Sequence, residues 1–310
     1  MRFLENALGA KNEFWRYLIL ILASFLGGQL LGAVPLMITV FPKLISGAVD
    51  YNAISMSSID FKQFGISKNL GFVLMMLPFV TSIIIFYFLV KPIHSRSIQE
   101  VINGRHYIRW KRFFSAFIIW FTIMSIMLLI DFLLHPTNFK FQFSASTFFT
   151  LLFLSAILIP LQTAYEEILF RGYLTQGIGR WFKNRYLAIL IPGVLFGLLH
   201  IANPEITAHG FWLAMPQYVL FGLLFGLISV LDDGIELSMG AHAANNFFLS
   251  VFLTNASSAL QTDALIIQSN VNAGYDLMLF VIIAILFMYI LARIYKWNFS
   301  ILNKKISNYN

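Results

Sequence analysis

The sequence predicts an all-α, polytopic integral membrane protein of about eight transmembrane helices. Hydrophobic residues make up 59% of the 310 and charged residues only 11%, where soluble domains carry roughly a quarter charged. Mean hydropathy is +0.77. Eight stretches of sixteen or more residues also contain no Asp, Glu, Lys or Arg. Each can supply, with its flanks, the roughly 20 residues that cross a bilayer. None shows the alternation of a barrel strand, and a chain in hydrocarbon must satisfy its backbone internally, so helices are the expectation.

The first stretch covers residues 17–42. It is far longer than the roughly 7 to 15 apolar residues of a signal-peptide core, so it should stay as a helix although "SGA" at 46–48 could pass for a cleavage site. Stretches 69–90 and 113–130 follow, separated by a basic segment. The fourth, 141–165, ends on the acidic pair Glu166–Glu167, and the fifth, 186–204, contains Pro192 and His200. Stretch 206–231 precedes 237–262, which holds His242 and Asn246, and 277–292 is the shortest. The loop at about 43–68 is the one sizeable outside segment. A single domain, residues 1–310, is expected, with a motif-bearing core at about 141–260.

Orientation follows from the basic residues between the stretches. With a cytoplasmic N-terminus, the inside segments hold Arg2, Lys11 and Arg16, the group Lys91 to Arg112, the group Arg171 to Arg185, and Arg293, Lys296, Lys304 and Lys305. That is seventeen of the 21 Lys and Arg. The positive-inside rule then places both termini in the cytoplasm of a bacterial plasma (inner) membrane. The same asymmetry accounts for the net charge of +7. The basic "RHYIRWKRF" segment at 105–113 therefore reads as topology and anionic-lipid contact, with no nucleic-acid partner. With no cysteine in the chain, disulfides, thiolate nucleophiles and Cys-ligated metals are excluded.

Against this apolar background "YEEILFRGYL" at 165–174 stands out. An ionisable side chain at the centre of a membrane helix costs roughly 2.5 to 3.5 kcal/mol, so such groups need compensation or a place at the interface. One reading makes "EEILFR" a wet turn at the end of the fourth helix. Helical spacing favours another. Glu167 and Arg171 are four apart and share a face, with Glu on the N-terminal side, the better order for an ion pair. Glu166 lies about 100° round the helix and is left free. A carboxylate without a partner in a poorly hydrated site is a better general base than a surface Glu, because desolvation disfavours its charged form.

Polar residues inside other stretches are the candidate partners. His200 lies in "VLFGLLHIAN", and His242 with Asn246 lies in "GAHAANNFF" at i, i+4 spacing. Each alone reads as a helix-packing hydrogen bond. Asn245 fits that structural role and His209 an interfacial one. Gly193/Gly197 and Gly222/Gly226 have the GxxxG spacing of close helix contacts.

Together "EEILFR" (Glu166, Glu167, Arg171), "FGLLH" (Phe196, His200) and "HAANN" (His242, Asn246) resemble, in order and spacing, the EExxxR, FxxxH and HxxxN motifs of the CPBP family of intramembrane proteases. That family embraces the eukaryotic CAAX prenyl endopeptidases and the bacterial bacteriocin-processing and self-immunity (Abi) proteins. The resemblance implies a hydrolase, a glutamic intramembrane endopeptidase that cleaves a peptide bond by a glutamate-activated water. Carried over residue by residue, Glu166 is the base, His200 helps to bind and polarise the water, and His242 with Asn246 donates to the oxyanion. Glu167, Arg171 and Phe196 are then supporting residues. It implies no cofactor and a metal-free site, although Glu166, His200 and His242 would make a chemically reasonable zinc set without HExxH spacing.

The substrate implied is a membrane-associated peptide or protein: a prenylated protein, a bacteriocin leader or a peptide pheromone, met in the lipid bilayer. Two other readings remain open at this level. A self-immunity or scaffold protein could act by binding alone, and a transporter could use intramembrane Glu and His as a proton relay, though no inverted repeat is visible. One geometric condition separates the enzyme from the rest. With upright helices His200 would lie about 20 Å along the fifth helix and His242 about 8 Å into the seventh, at about 1.5 Å per residue. The four side chains converge only if a kink at Pro192 or an extension of the fourth helix toward Gly177 brings them level.

Overall fold

The computed structural model describes residues 3–47 and 60–307. Residues 48–59 of the outside loop 43–68, and Arg2, therefore lie outside the described residues. Ten α-helices carry the chain: α1 (Phe14–Ile45), α2 (Lys68–His94), α3 (Ile98–Asn103), α4 (Trp110–Leu134), α5 (Ala145–Phe182), α6 (Arg185–Leu199), α7 (Pro204–His209), α8 (Phe211–Leu231), α9 (Glu236–Val251) and α10 (Ala273–Tyr295). Among the described residues six of them, α1, α2, α4, α5, α8 and α10, are long and apolar enough to cross a membrane. The protein is thus an all-α polytopic membrane protein, as its composition predicts.

The expected count of eight spans is not reached, because two uncharged stretches hold shorter helices. In 186–204 the helix ends at Leu199, and His200 to Asn203 turn the chain into α7. In 237–262 the helix ends at Val251, and the Asn- and Ser-bearing continuation is loop and strand. Counting only charges overlooks the uncharged polar residues that break a helix. The fourth stretch runs on past Tyr165, as the Glu167/Arg171 spacing favours: α5 continues to Phe182 through a π-helical segment at Ile168–Leu174. Glu166, Glu167 and Arg171 are therefore inside a 38-residue helix rather than in a turn.

The outward faces are apolar, as lipid contact requires. Leu30, Ile38, Phe88, Leu133, Phe153 and Ile285 are all largely exposed. Inside, Trp120 of α4 is buried against Phe225 of α8 and Phe287 of α10. α6 packs on α8 and α9 on α4, while α5 is flanked by α2 and α9. The GxxxG spacings mark real close approaches. A Cβ built on Gly222 would sit 2.1 Å from the Gly193 carbonyl oxygen, and one on Gly240 would sit 2.1 Å from that of Phe113. Small residues let the backbones approach where apolar burial gives no drive toward helix association.

A dense ion network closes the end of the bundle where the α8–α9 turn lies. Arg109 grips Glu236, with Nε to Oε1 at 3.0 Å, and reaches Asp232 at 3.2 Å. Arg112 reaches Asp232 at 2.6 Å, and Arg105 pairs with Asp233 at 3.6 Å. The indole of Trp297 donates to Asp232 at 3.1 Å, and the backbone of Phe3 donates to Asp233. Glu236 and Asp232 are buried. Three of the four Lys and Arg residues in "RHYIRWKRF" are thus committed to carboxylates 120 or more residues away, and Lys111 is left exposed. This differs from the expectation of lipid contact. The carboxylates belong to a turn that only tertiary folding brings under that segment.

The opposite end carries a three-stranded sheet that hydropathy did not predict. β1 (Phe139–Phe141) pairs antiparallel with β3 (Ile266–Gln268), and β3 pairs parallel with β2 (Leu253–Thr254). Strands of two or three residues leave too short a pattern to read.

Gly222→Ala should destabilise the fold by about 1 to 3 kcal/mol, because the new methyl overlaps a backbone oxygen that cannot move aside. Thermal unfolding in detergent checks this, and an unchanged midpoint would mean that α6 and α8 can part without cost.

Candidate active site

Glu166 and Glu167 occupy the last regular α-helical turn of α5 before the π-helical segment that carries Arg171. Such wide turns re-aim side chains and recur at functional sites. Arg171 Nη1 donates to Glu167 Oε1 at 2.9 Å, and both side chains are essentially inaccessible. The guanidinium lies 3.9 Å over the ring of Phe196, and its Nη2 approaches the Phe221 carbonyl at 3.4 Å. Coulomb attraction, a cation–π contact and a backbone acceptor together replace the water that the charge has lost.

The same Glu167 oxygen also accepts from His242. Nδ1 of His242, on α9, is 2.8 Å from Glu167 Oε1. An ionised carboxylate only accepts, so this contact places the hydrogen on Nδ1 and turns Nε2 toward Glu166 and Asn246. Nε2 lies 3.6 Å from Glu166 Oε2 and 3.4 Å from Asn246 Nδ2. The imidazole is buried, boxed by Phe196, Phe221 and Phe225 at ring separations of 6.0, 5.5 and 5.8 Å.

Glu166 has a different environment. Its side chain keeps 12% exposure, and Oε2 has no hydrogen-bond partner among the described residues. His200 sits where α6 ends, its Nδ1 donating to the Phe196 carbonyl at 2.8 Å. That bond leaves Nε2 as a bare acceptor. The ring stacks on Tyr218 at 4.6 Å and 20°, and the Tyr218 hydroxyl accepts from Asn203 at 3.1 Å. Phe196 stands at the centre, touching Arg171, His200 and His242 with one ring.

Glu166, Glu167, His242 and Asn246 are thus brought together from α5 and α9, and His200 of α6 is joined to them through the Phe196 ring. Asn245 donates to Asn246 Oδ1 at 3.1 Å, while half-buried His209 contacts Ser257 at 3.1 Å away from the cluster. Three features escaped the sequence reading. Glu167 serves His242 as well as Arg171, Tyr218 backs His200, and Gln162 accepts from Asn246 Nδ2 at 3.0 Å. Gln162 alone had a local signal, lying four residues before Glu166 in an otherwise uncharged run. Among the described residues no group of three or more His, Asp or Glu is arranged to hold a metal ion.

Residues 145–248 match the family model described as Type II CAAX prenyl endopeptidase Rce1-like, consistent with the CPBP intramembrane proteases. The uncharacterized protein YyaK of Bacillus subtilis (strain 168) is 42% identical over 170 residues, which are 54% of this chain and 56% of that protein. The chain thus spans little more than half the length of this relative. No solved structure matches the chain.

The two adjacent glutamates should respond oppositely to the same substitution. Glu167→Gln leaves Arg171 as a buried charge without its partner and should cost about 3 to 5 kcal/mol. Glu166→Gln removes a carboxylate that has no hydrogen bond to lose, and should unfold within about 0.5 kcal/mol of the parent. Parallel denaturation curves check the contrast, and equal losses would refute it.

Proposed function

We propose, from the Rce1-like stretch at residues 145–248 and the polar cluster within it, that the chain is a membrane-embedded glutamic endopeptidase. It hydrolyses a peptide bond in a membrane-associated peptide or protein. The observation that carries this reading is the asymmetry of the glutamates: one Glu167 oxygen is held by both Arg171 and His242, whereas Glu166 makes no hydrogen bond among the described residues and keeps Oε2 3.6 Å from His242 Nε2.

The chemistry follows from the acceptors and donors. A water between Glu166 and the bare Nε2 of His200 gives one hydrogen to each, which turns an oxygen lone pair toward a substrate carbonyl. Glu166 takes the proton as the oxygen attacks, and returns it to the amine nitrogen when the C–N bond breaks. For His242 to donate to the oxyanion, Nε2 must carry a hydrogen while Nδ1 donates to Glu167. Nε2 and Asn246 Nδ2, 3.4 Å apart, then both reach one oxyanion at about 2.8 Å. Removing either donor should lower kcat by roughly two to three orders of magnitude. Tyr218 and Phe196 hold the two rings in register, and the apolar box around His242 keeps the dielectric low enough for these bonds to count.

The end of the bundle closed by Arg109, Arg112 and Asp232 faces the cytoplasm of a plasma membrane, because the segments rich in Lys and Arg meet there. A bacteriocin leader, a pheromone precursor or the tail of a membrane protein is the substrate class that fits such a membrane. A binding-only immunity or scaffold role is the alternative, and the Glu166 carboxylate, placed beside His242 Nε2 without a hydrogen bond of its own, favours the enzyme.

Membranes of host cells carrying the wild-type chain or Glu166→Gln should differ in protein N-termini, with a set of termini present only with the wild type. Matching profiles, together with rescue of a deletion phenotype by Glu166→Gln, would establish action by binding instead. Exhaustive chelation should leave the wild-type termini unchanged, whereas their loss would demand a metal among Glu166, His200 and His242.

A further inference from the structure

Gln162 sits one turn before Glu166 on α5, in a run whose other members are apolar or small, and it is buried. A carboxamide there is costly unless its hydrogen-bonding capacity is used. Its Oε1 accepts from Asn246 Nδ2 at 3.0 Å. Asn246 Oδ1 is in turn held by Asn245 Nδ2 at 3.1 Å. The Asn246 amide is thus fixed at both ends, with its nitrogen on the side of His242. That orientation decides its use. Rotated by half a turn, the amide would present an oxygen, which repels an oxyanion as strongly as the nitrogen attracts it. A carbonyl oxygen on Gln162 selects the nitrogen, because it accepts and cannot donate.

We propose that Gln162 is the positioning residue of the oxyanion-binding pair: it acts through Asn246, setting the carboxamide so that Nδ2 and His242 Nε2 point at the same locus. This rests on the endopeptidase reading and adds to it a fourth residue outside the three motifs. Helical spacing explains why Gln162 can serve. It lies four residues before Glu166, so the base and the residue that holds the donor project from the same face of one rigid helix.

The test is a double-mutant cycle on the full-length protein in detergent or liposomes. The assay substrate is a membrane-anchored peptide spanning a cleavage site found from the wild-type-dependent termini. Asn246→Ala should reduce kcat about 100-fold. Gln162→Met, which keeps length and bulk but removes the acceptor, should reduce kcat about 30- to 100-fold with KM changed less than about threefold. Adding Asn246→Ala to Gln162→Met should then cost less than about threefold more, because the amide it removes is already misdirected. Gln162→Glu restores an acceptor, and in that background Asn246→Ala should again cost about 100-fold. This second comparison also decides the matter if Gln162→Met does not fold.

Wild-type kcat in Gln162→Met, fully additive losses, or a small Asn246→Ala effect in the Gln162→Glu background would each overturn the assignment. If Glu166→Gln abolishes cleavage while the cycle is additive, Gln162 alone is misassigned. If Glu166→Gln cleaves as the wild type does, the endopeptidase reading falls and this inference falls with it.

Discussion

One buried charge organises the site. Arg171 has no access to water, and its neutralisation by Glu167 decides where three helices must meet. In a medium of low dielectric, separating such a pair leaves an uncompensated ion. Everything in contact with the pair is held by that cost. Phe196 of α6 lies under the guanidinium, the Phe221 carbonyl of α8 faces its second nitrogen, and His242 of α9 shares the carboxylate. The charge is therefore a positional clamp as much as a stabilising contact. The π-helical segment that carries Arg171 is part of it, because a wider turn shifts which side chains share a face.

The clamp explains how residues at different depths on their own helices come together. His200 and His242 meet through Phe196, whose ring spans the distance between them, and α5 supplies Glu166 from mid-helix because it runs on to Phe182. A second set of charges fixes the start of α9. Arg109 and Arg112 hold Asp232 and Glu236 at the turn that launches that helix, and Gly240 sits against the backbone of α4 two residues before His242. The position of the imidazole is thus set from both directions, by ion pairs below it and by Glu167 beside it.

Two amides and two imidazoles then acquire opposite tasks from their neighbours. His200 donates its Nδ1 hydrogen to a backbone carbonyl, which leaves Nε2 as an acceptor, while His242 donates its Nδ1 hydrogen to Glu167 and turns Nε2 toward Glu166 and Asn246. Identical side chains differ because of what touches the far nitrogen. The same holds for the glutamates, adjacent in sequence and unlike in environment, and it gives the cluster the division into base and oxyanion donors on which the proposed hydrolysis depends.

Much of this was legible in the chain itself. Hydropathy named the solvent, periods of 3.6 residues named the helices, and i, i+4 spacing paired Glu167 with Arg171 and grouped His242 with Asn246. These are local properties, carried by residues within a turn of one another. The ends of α6 and α9 and the short sheet were not legible, because charge-free length passes over the uncharged polar residues that end a helix, and strands of two or three residues carry no readable period. Neither was the bond from Glu167 to His242, nor the pairing of Arg109 with Glu236, nor the stacking of Tyr218 on His200. Those contacts join residues far apart in sequence, and only the packing of whole helices decides which of many polar groups becomes the neighbour of another. The sequence by itself determined the membrane setting and the chemical groups on offer. The tertiary structure decided which nitrogen, which oxygen and which carboxylate face the point where they converge.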